Sequence, residues 1–237
     1  MVRETSQITI MKRQFCNRSE AGKFLAERLS VYVDRDDVLV LALPRGGVPV
    51  AAEVAKRLKA PLDVFVVRKL GLPDHVELAM GAIATGGVRV INRDVVEGWQ
   101  IPELVIDAVA AQEQEELARR ERVYRGDRPA PEVEGKTVIV VDDGIATGST
   151  MLAAVAALRQ LRAARIIVAA PVIAGSSYYQ IRGAADDVAA VIVPEEFYSV
   201  GEWYEDFSQT TDDEVRQLVA QATQRQFAST KHESKAV

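Results

Sequence analysis

Val138-Ile139-Val140-Val141-Asp142-Asp143-Gly144-Ile145-Ala146-Thr147-Gly148-Ser149-Thr150 is the stretch whose reading decides the fold. Four apolar residues make a buried strand, two carboxylates stand at its carboxyl end, and a loop of small residues leads into a helix beginning near Thr150. In open α/β sheets ligands bind at that edge, beside the strand ends. Small side chains in Ala146-Thr147-Gly148-Ser149-Thr150 allow close backbone approach, the hydroxyls donate, and a helix N-terminus lies behind them. That combination suits a phosphate monoester. Two acids do not suit the phosphate itself, but they do suit the vicinal hydroxyls of a sugar, which donate to carboxylates. The bland alternative is an ordinary strand-to-helix turn with solvated acids at its lip.

Outward from this segment, short β-branched runs alternate with amphipathic stretches. Strands are predicted at Val38–Leu43, Asp63–Arg68, Thr137–Asp142, Arg165–Ile173 and Val188–Val193. They read as continuous Val/Ile/Leu runs, as strands do when helices cover both faces. Helical spacing occupies Val48–Leu58, Thr150–Leu161 and Ser176–Arg182. Near the start, Asn17 and Glu20 resemble a capping box that opens a helix over Arg18–Leu29. Strand, helix, strand in repetition predicts an α/β fold with a doubly wound, mainly parallel sheet.

One segment breaks the alternation. From Pro102 to about Tyr124 the spacing is helical, with Glu115/Arg119, Glu116/Arg120 and Glu121/Arg125 four apart and the acid first. It lies between the second and third predicted core strands, so an inserted flap over about residues 93–130 is expected in a single domain spanning 1–237. A plain surface helix is the competing reading. The run 226–237 is polar and reads as a disordered tail.

Composition narrows the class. The chain has 237 residues, 48% hydrophobic and 27% charged, with a net charge of −5. That balance excludes a disordered or fibrous chain and calls for neither nucleic acid nor an anionic membrane. One Cys excludes an internal disulfide, and two His cannot assemble a zinc cluster. The longest apolar run, Ile166–Ala174, falls short of the roughly 20 residues of a membrane span. Met1 to Gln7 lacks the features of a signal peptide, so a cytoplasmic protein is expected. P-loop, dinucleotide and nucleophile-elbow motifs are absent.

Two further loops carry chemistry. Leu43-Pro44-Arg45-Gly46-Gly47 ends the first strand and opens a helix. Paired glycines let backbone N–H groups converge on an anion, and Arg45 adds a forked donor; an ordinary tight turn would read the same way. Val67-Arg68-Lys69 places two cations at the end of the second strand, before the Gly/Pro loop Leu70–Glu77. His75 and Glu77 in that loop read as solvated residues. Phe197, Tyr198, Trp203, Tyr204 and Phe207 cluster just beyond the last strand. They could stack on a flat base, or they could pin the C-terminal helix to the core, Phe207 in particular.

The segment from Val138 resembles the 5-phosphoribosyl 1-diphosphate (PRPP) motif of the type I phosphoribosyltransferases in its hydrophobic strand, acidic pair and Thr-Gly-x-Thr ending. The strand order around it extends the resemblance over about residues 15–200. The resemblance implies that Ala146, Thr147, Gly148, Ser149 and Thr150 hold the 5′-phosphate and that Asp142 and Asp143 face the ribose hydroxyls. It further implies that Arg45, Gly46 and Gly47 hold pyrophosphate, with a cis peptide at Pro44–Arg45. The Arg68–Lys69 pair resembles one that contacts PRPP in orotate phosphoribosyltransferases, although the loop beyond it departs from that pattern. Phe197, Tyr198 and Trp203 fall where related enzymes close a hood over the acceptor, here about 197–210. The implied activity is Mg²⁺-dependent transfer of phosphoribose from PRPP to a nitrogenous base or amine, with the metal held mainly by PRPP oxygens and water, and a homo-oligomer, a dimer, is expected. Closest in character are stand-alone bacterial members with Arg-Gly-Gly and an inserted helical flap. Enzymes acting on 6-oxopurines commonly carry an aspartate where this chain has Ala146.

Two rival readings share the motifs. One is a non-catalytic PRPP or nucleotide sensor, with Arg119, Arg120, Arg122, Arg125 and Arg128 as a basic stripe for RNA; the interleaved glutamates favour a solvated face instead. The other is a hydrolase acting on ribose phosphates.

Overall fold

A computed structural model describes residues 14–73 and 75–233, without the side chains of residues 76, 77 and 226–233. The chain forms α1 (Arg18–Arg28), β1 (Val38–Ala42), α2 (Gly47–Leu58), β2 (Leu62–Val64), β3 (Val67–Leu72), β4 (His75–Ala84) and β5 (Val88–Ile91). These are followed by α3 (Arg93–Gly98), α4 (Glu103–Arg125), β6 (Thr137–Val141), α5 (Ser149–Gln160), β7 (Arg165–Val172), α6 (Gly175–Ala184), β8 (Asp187–Ile192) and α7 (Asp212–Glu233).

The main sheet is entirely parallel, in the order β2-β1-β6-β7-β8. Its central strands are buried along their whole length, and the two-residue side-chain period divides them between two cores. Val38, Val40, Ala42, Ile139 and Val141 face one core with Leu25, Val54 and Val219 from α1, α2 and α7. Leu39, Leu41, Val138 and Val140 face the other, with Met151, Val155 and Leu158 from α5 and Ile181 from α6. The continuous apolar runs therefore mean what they were read to mean: helices cover both faces. The Asn17 side chain accepts from the Glu20 amide at 3.0 Å, and Glu20 accepts from the Cys16 amide at 2.6 Å. The predicted box caps α1 with its return bond one residue early.

The region between β2 and β6 departs from the expectation. The strand expected over Asp63–Arg68 is two strands. β2 pairs with β1, whereas β3 starts a separate antiparallel sheet, β3-β4-β5. Buried Phe65 and Val66 link them, with no Gly or Pro to mark the break. The loop expected after Lys69 is largely a hairpin in which Leu72 pairs with His75; Asp74 and the Glu77 side chain lie outside the described residues. β4 and β5 turn through Gly86 and Gly87, both at positive φ (86° and 73°), where glycine fits without a side-chain clash.

The inserted helix α4 is present but packed. Ile106, Ala110, Leu117 and Tyr124 are buried in the α1/α2/α7 core, and Arg125 reaches β2. Arg120 pairs with Glu116 and Arg125 with Glu121 as the spacing predicts, while Arg119 turns to Glu116 rather than to Glu115. α7 continues to Glu233, into the run expected as a tail; residues 234–237 lie outside the described residues. Among the described residues no helix is long and apolar enough to cross a membrane.

Candidate active site

Strand order reverses direction at β1: the chain leaves it for β2 on one side and returns to β6 on the other. That is the topological switch point of the sheet, where ligands bind in doubly wound folds. The register Ala42↔Val141 brings the carboxyl ends of β1 and β6 level, so the Arg-Gly-Gly and Asp-Asp loops meet. The contact is close. A Cβ on Gly46 would lie 2.0 Å from Asp143 Oδ2, and one on Gly47 would lie 2.7 Å from the Val141 carbonyl oxygen and 3.2 Å from Asp142 Oδ1. Neither position has room for a side chain, which is why both residues are glycine. The Pro44–Arg45 peptide is cis, as the resemblance implies.

The acidic pair is held from several sides. Asp142 Oδ1 accepts from the Asp143 amide at 2.9 Å. Burial and the adjacent Asp143 carboxylate push the Asp142 carboxyl well above its ordinary range, while Arg18 opposes that shift. Arg18 Nε donates to Asp143 Oδ2 at 2.8 Å, and the Tyr204 hydroxyl donates to the Asp143 carbonyl oxygen at 2.5 Å. Burial and the Asp143 charge drive the Tyr204 phenol far above its usual range, so it stays a donor.

The small-residue loop follows. Gly148, at φ 73°, is the residue before α5 and supplies no side-chain cap. Amides in the first turn of a helix have no intrahelical partner, so this end can receive an anion. Ala146, Thr147, Ser149 and Thr150 are exposed. The Ser177 hydroxyl on α6 donates to the Ala146 carbonyl oxygen, and the Thr147 and Ser149 hydroxyls lie 3.2 Å apart.

Other expected residues fall differently. Arg45 is partly exposed, and its Nη1 lies 3.8 Å from Asp212 Oδ1 at the start of α7; the same carboxylate oxygen accepts from the Tyr124 hydroxyl of α4 at 3.0 Å. Arg68 turns to α4, where its Nε donates to Glu113 Oε2 at 2.6 Å, and Lys69 is exposed. Among the described residues, no hydrogen bond or ion pair joins either one to the β1 and β6 loops. His75 lies against Trp99 with the rings tilted by 56° and their centroids 5.2 Å apart.

In the aromatic segment, two expected roles are exchanged. Trp203 is only 5% exposed and packs with Phe15, Ala21 and Val172, so its ring is not offered to a ligand. Phe197 stacks on it with centroids 6.5 Å apart. Tyr198 is 82% exposed. Phe207, read from the sequence as a pin, is 38% exposed and backs the Arg18 guanidinium at 4.0 Å. Sequence reading missed Arg18, Asp212 and Tyr124 and named Tyr204 only within the aromatic cluster; all four reach the site through packing of distant segments. The one local hint was the position of Arg18 just after a helix cap.

A parallel sheet with a Gly-Gly loop and an acidic pair meeting at its switch point places the chain among the doubly wound α/β proteins. Within that class the chain belongs to the phosphoribosyl transferase domain family, which it matches over residues 17–205. It is 45% identical over 214 residues to a Mycobacterium tuberculosis (strain H37Rv) protein named "Putative phosphoribosyl transferase Rv0571c", and equally to its counterpart MT0597 in strain CDC 1551. The match covers 90% of this chain and 48% of those proteins, so the chain spans about half the length of the curated relatives it matches. Among solved structures it is similar to TT1426 from Thermus thermophilus, with 38% identity and a TM-score of 0.80 over 88% of this chain and 98% of that one.

Proposed function

We propose that the chain transfers the phosphoribosyl group of PRPP to a nitrogenous base or amine, releasing pyrophosphate. The observation that carries this reading is the seating of Gly46 and Gly47 against Asp143 and Asp142. It puts the Arg-Gly-Gly loop beside the acidic pair, which the Ala146–Thr150 loop follows in the chain; read as an anion loop, two diol acceptors and a second anion loop, these match the order of the chemical groups of PRPP.

In this reading the Ala146–Thr150 loop holds the 5′-phosphate at the start of α5. Asp142 and Asp143 accept from the ribose hydroxyls. Arg45, Gly46 and Gly47 bind the diphosphate; the 3.8 Å contact with Asp212 is too long for a hydrogen bond, so the Arg45 fork is available. Arg68 is engaged by Glu113 through Nε alone, which leaves its other N–H donors for the diphosphate, and Lys69 is already exposed. Tyr198 and the edge of Phe197 face the acceptor, while Trp203 supports Phe197 from behind.

Catalysis rests mainly on placement. Bond breaking at C1′ runs ahead of bond making, the leaving diphosphate takes up the developing negative charge, and the acceptor nitrogen attacks from the opposite face with loss of a proton. Among the described residues no group of three or more His, Cys, Asp or Glu is gathered to hold a metal. A Mg²⁺ carried by PRPP oxygens and water fits that donor set and would neutralise diphosphate charge. Ala146 has no titratable group, so proton handling at a 6-oxopurine has no carboxylate at that position.

The test is product analysis after incubating the full chain with PRPP, Mg²⁺ and a panel of adenine, orotate, hypoxanthine, guanine and simple amines. Pyrophosphate should form in step with one ribosylated product, with IMP and GMP the slowest to appear. Saturable PRPP binding without turnover would replace the enzyme with a binding protein. Ribose 5-phosphate released without any acceptor would replace it with a hydrolase.

A further inference from the structure

Asp143 has a partner that belongs to neither anion loop. Arg18, the first residue of α1, donates from Nε to Asp143 Oδ2 at 2.8 Å and from Nη1 to the Ser208 carbonyl oxygen at 2.7 Å. Its guanidinium lies over the Phe207 ring, 4.0 Å from the centroid, and 5.9 Å from that of Tyr204. The paired side chains are only 11% and 13% exposed. α1, the loop after β6 and the segment after β8 thus converge on one carboxylate. A surface arginine that only solvates an acid is not fixed by a backbone carbonyl, an aromatic face and burial at once.

We propose that Arg18 is the positioning residue of the ribose subsite: it fixes the Asp143 carboxylate with Oδ2 on the guanidinium and Oδ1 left to accept from a ribose hydroxyl, and it supplies positive charge beside the acidic pair. This rests on the reading of Asp142 and Asp143 as ribose acceptors.

A carboxylate accepts through both oxygens, so engaging one in a rigid fork leaves the other aimed and available. Two adjacent acids also resist carrying two negative charges without a cation. The groups facing them are Arg18 from α1 and the Tyr204 hydroxyl, which is held as a neutral donor; the loop before α2 and its first residue contribute only Gly46 and Gly47. Asp206 lies near Arg18, its own carboxyl kept low by bonds from Ser208. Arg18 is therefore the cation that acts on the pair among the described residues.

The experiment is calorimetric titration of the full chain with ribose 5-phosphate and, separately, with inorganic pyrophosphate, from about pH 5 to 8, in the unmodified protein, Arg18→Gln and Arg18→Lys. Arg18→Gln should weaken ribose 5-phosphate by on the order of tenfold, as loss of one charge-assisted contact does. It should leave pyrophosphate within about twofold, and the pH below which ribose affinity fades should move upward. Arg18→Lys keeps the charge and should restore the pH profile with part of the affinity. Should Arg18→Gln fail to fold, Phe207→Leu removes the ring behind the guanidinium but keeps the charge, and should lower ribose affinity without moving the pH profile. Unchanged ribose affinity and pH profile in Arg18→Gln, or equal losses for both ligands, would overturn the proposal. An unmodified protein that binds pyrophosphate but not ribose 5-phosphate would instead overturn the ribose reading itself, and this inference with it.

Discussion

Asp142 concentrates the tension between stability and binding at this site. Its carboxyl is raised by burial and by Asp143, so between the ordinary carboxylate value of about 3.9 and the raised one the native protein keeps a proton that the unfolded chain has released. Stability from this group is therefore present at the acid end of that window and is lost as pH rises through it. At neutral pH the Asp142 carboxyl therefore costs stability. Asp142→Asn should raise the Tm by about 2–4 °C at pH 7, and the gain should shrink toward pH 4 in thermal melts at both values; a lower Tm at pH 7 would contradict the electrostatic argument. The same variant should bind ribose 5-phosphate more weakly, having lost a charged acceptor. At this scale the sequence was informative where chemistry is local. Asp142, Asp143, Arg45 and Gly46 are legible because neighbouring residue types combine into one chemical pattern. Arg18 and Tyr204 are single residues far away in the chain, and only packing makes them part of the site. Trp203 misled because an aromatic ring fits a core as well as it fits a base.

Among the elements, α4 is tied to the sheet rather than hanging over it. Arg125 near its C-terminal end has a side chain only 3% exposed. It donates to Asp63 Oδ1 at 3.2 Å, to the Val64 carbonyl oxygen at 2.9 Å and to Glu121 Oε1 at 3.4 Å. Removing one member of a buried pair leaves the other charge uncompensated, so Arg125→Met should cost about 3 kcal/mol in urea unfolding. Arg120→Met, which breaks a more exposed pair with Glu116, should cost no more than about 0.5 kcal/mol. Equal losses would show that burial does not set the strength of the attachment. The parallel strands and most of the helices were readable from period and run length. β4 and β5 were not read as strands, although Gly86-Gly87 between β-branched runs is a hairpin signal; the alanine and glycine of Ala79–Ala84 blunt the strand pattern before it. The break between β2 and β3 carries no sequence signal, because Phe65 and Val66 are as apolar as the strands they separate.

For the molecule as a whole, one sheet brings two loops distant in sequence to a single edge, and a second small sheet with α4 packs beside it. Long-range order of this kind explains why the fold class and the inserted helix were legible while the small antiparallel sheet was not: parallel strands announce themselves one at a time, whereas antiparallel strands depend on partners that a local pattern does not name. The central claim is that the switch point between β1 and β6 is a PRPP site in which Asp142 and Asp143 hold the ribose. Its most direct test is the Kd of PRPP with Mg²⁺ for the unmodified chain and for the double variant Asp142→Asn/Asp143→Asn, with inorganic pyrophosphate titrated alongside. The double variant should weaken PRPP by at least about a hundredfold, since each charge-assisted bond is worth roughly 1.5–3 kcal/mol, while pyrophosphate affinity stays within a few-fold. PRPP affinity unchanged in a folded double variant would contradict the claim.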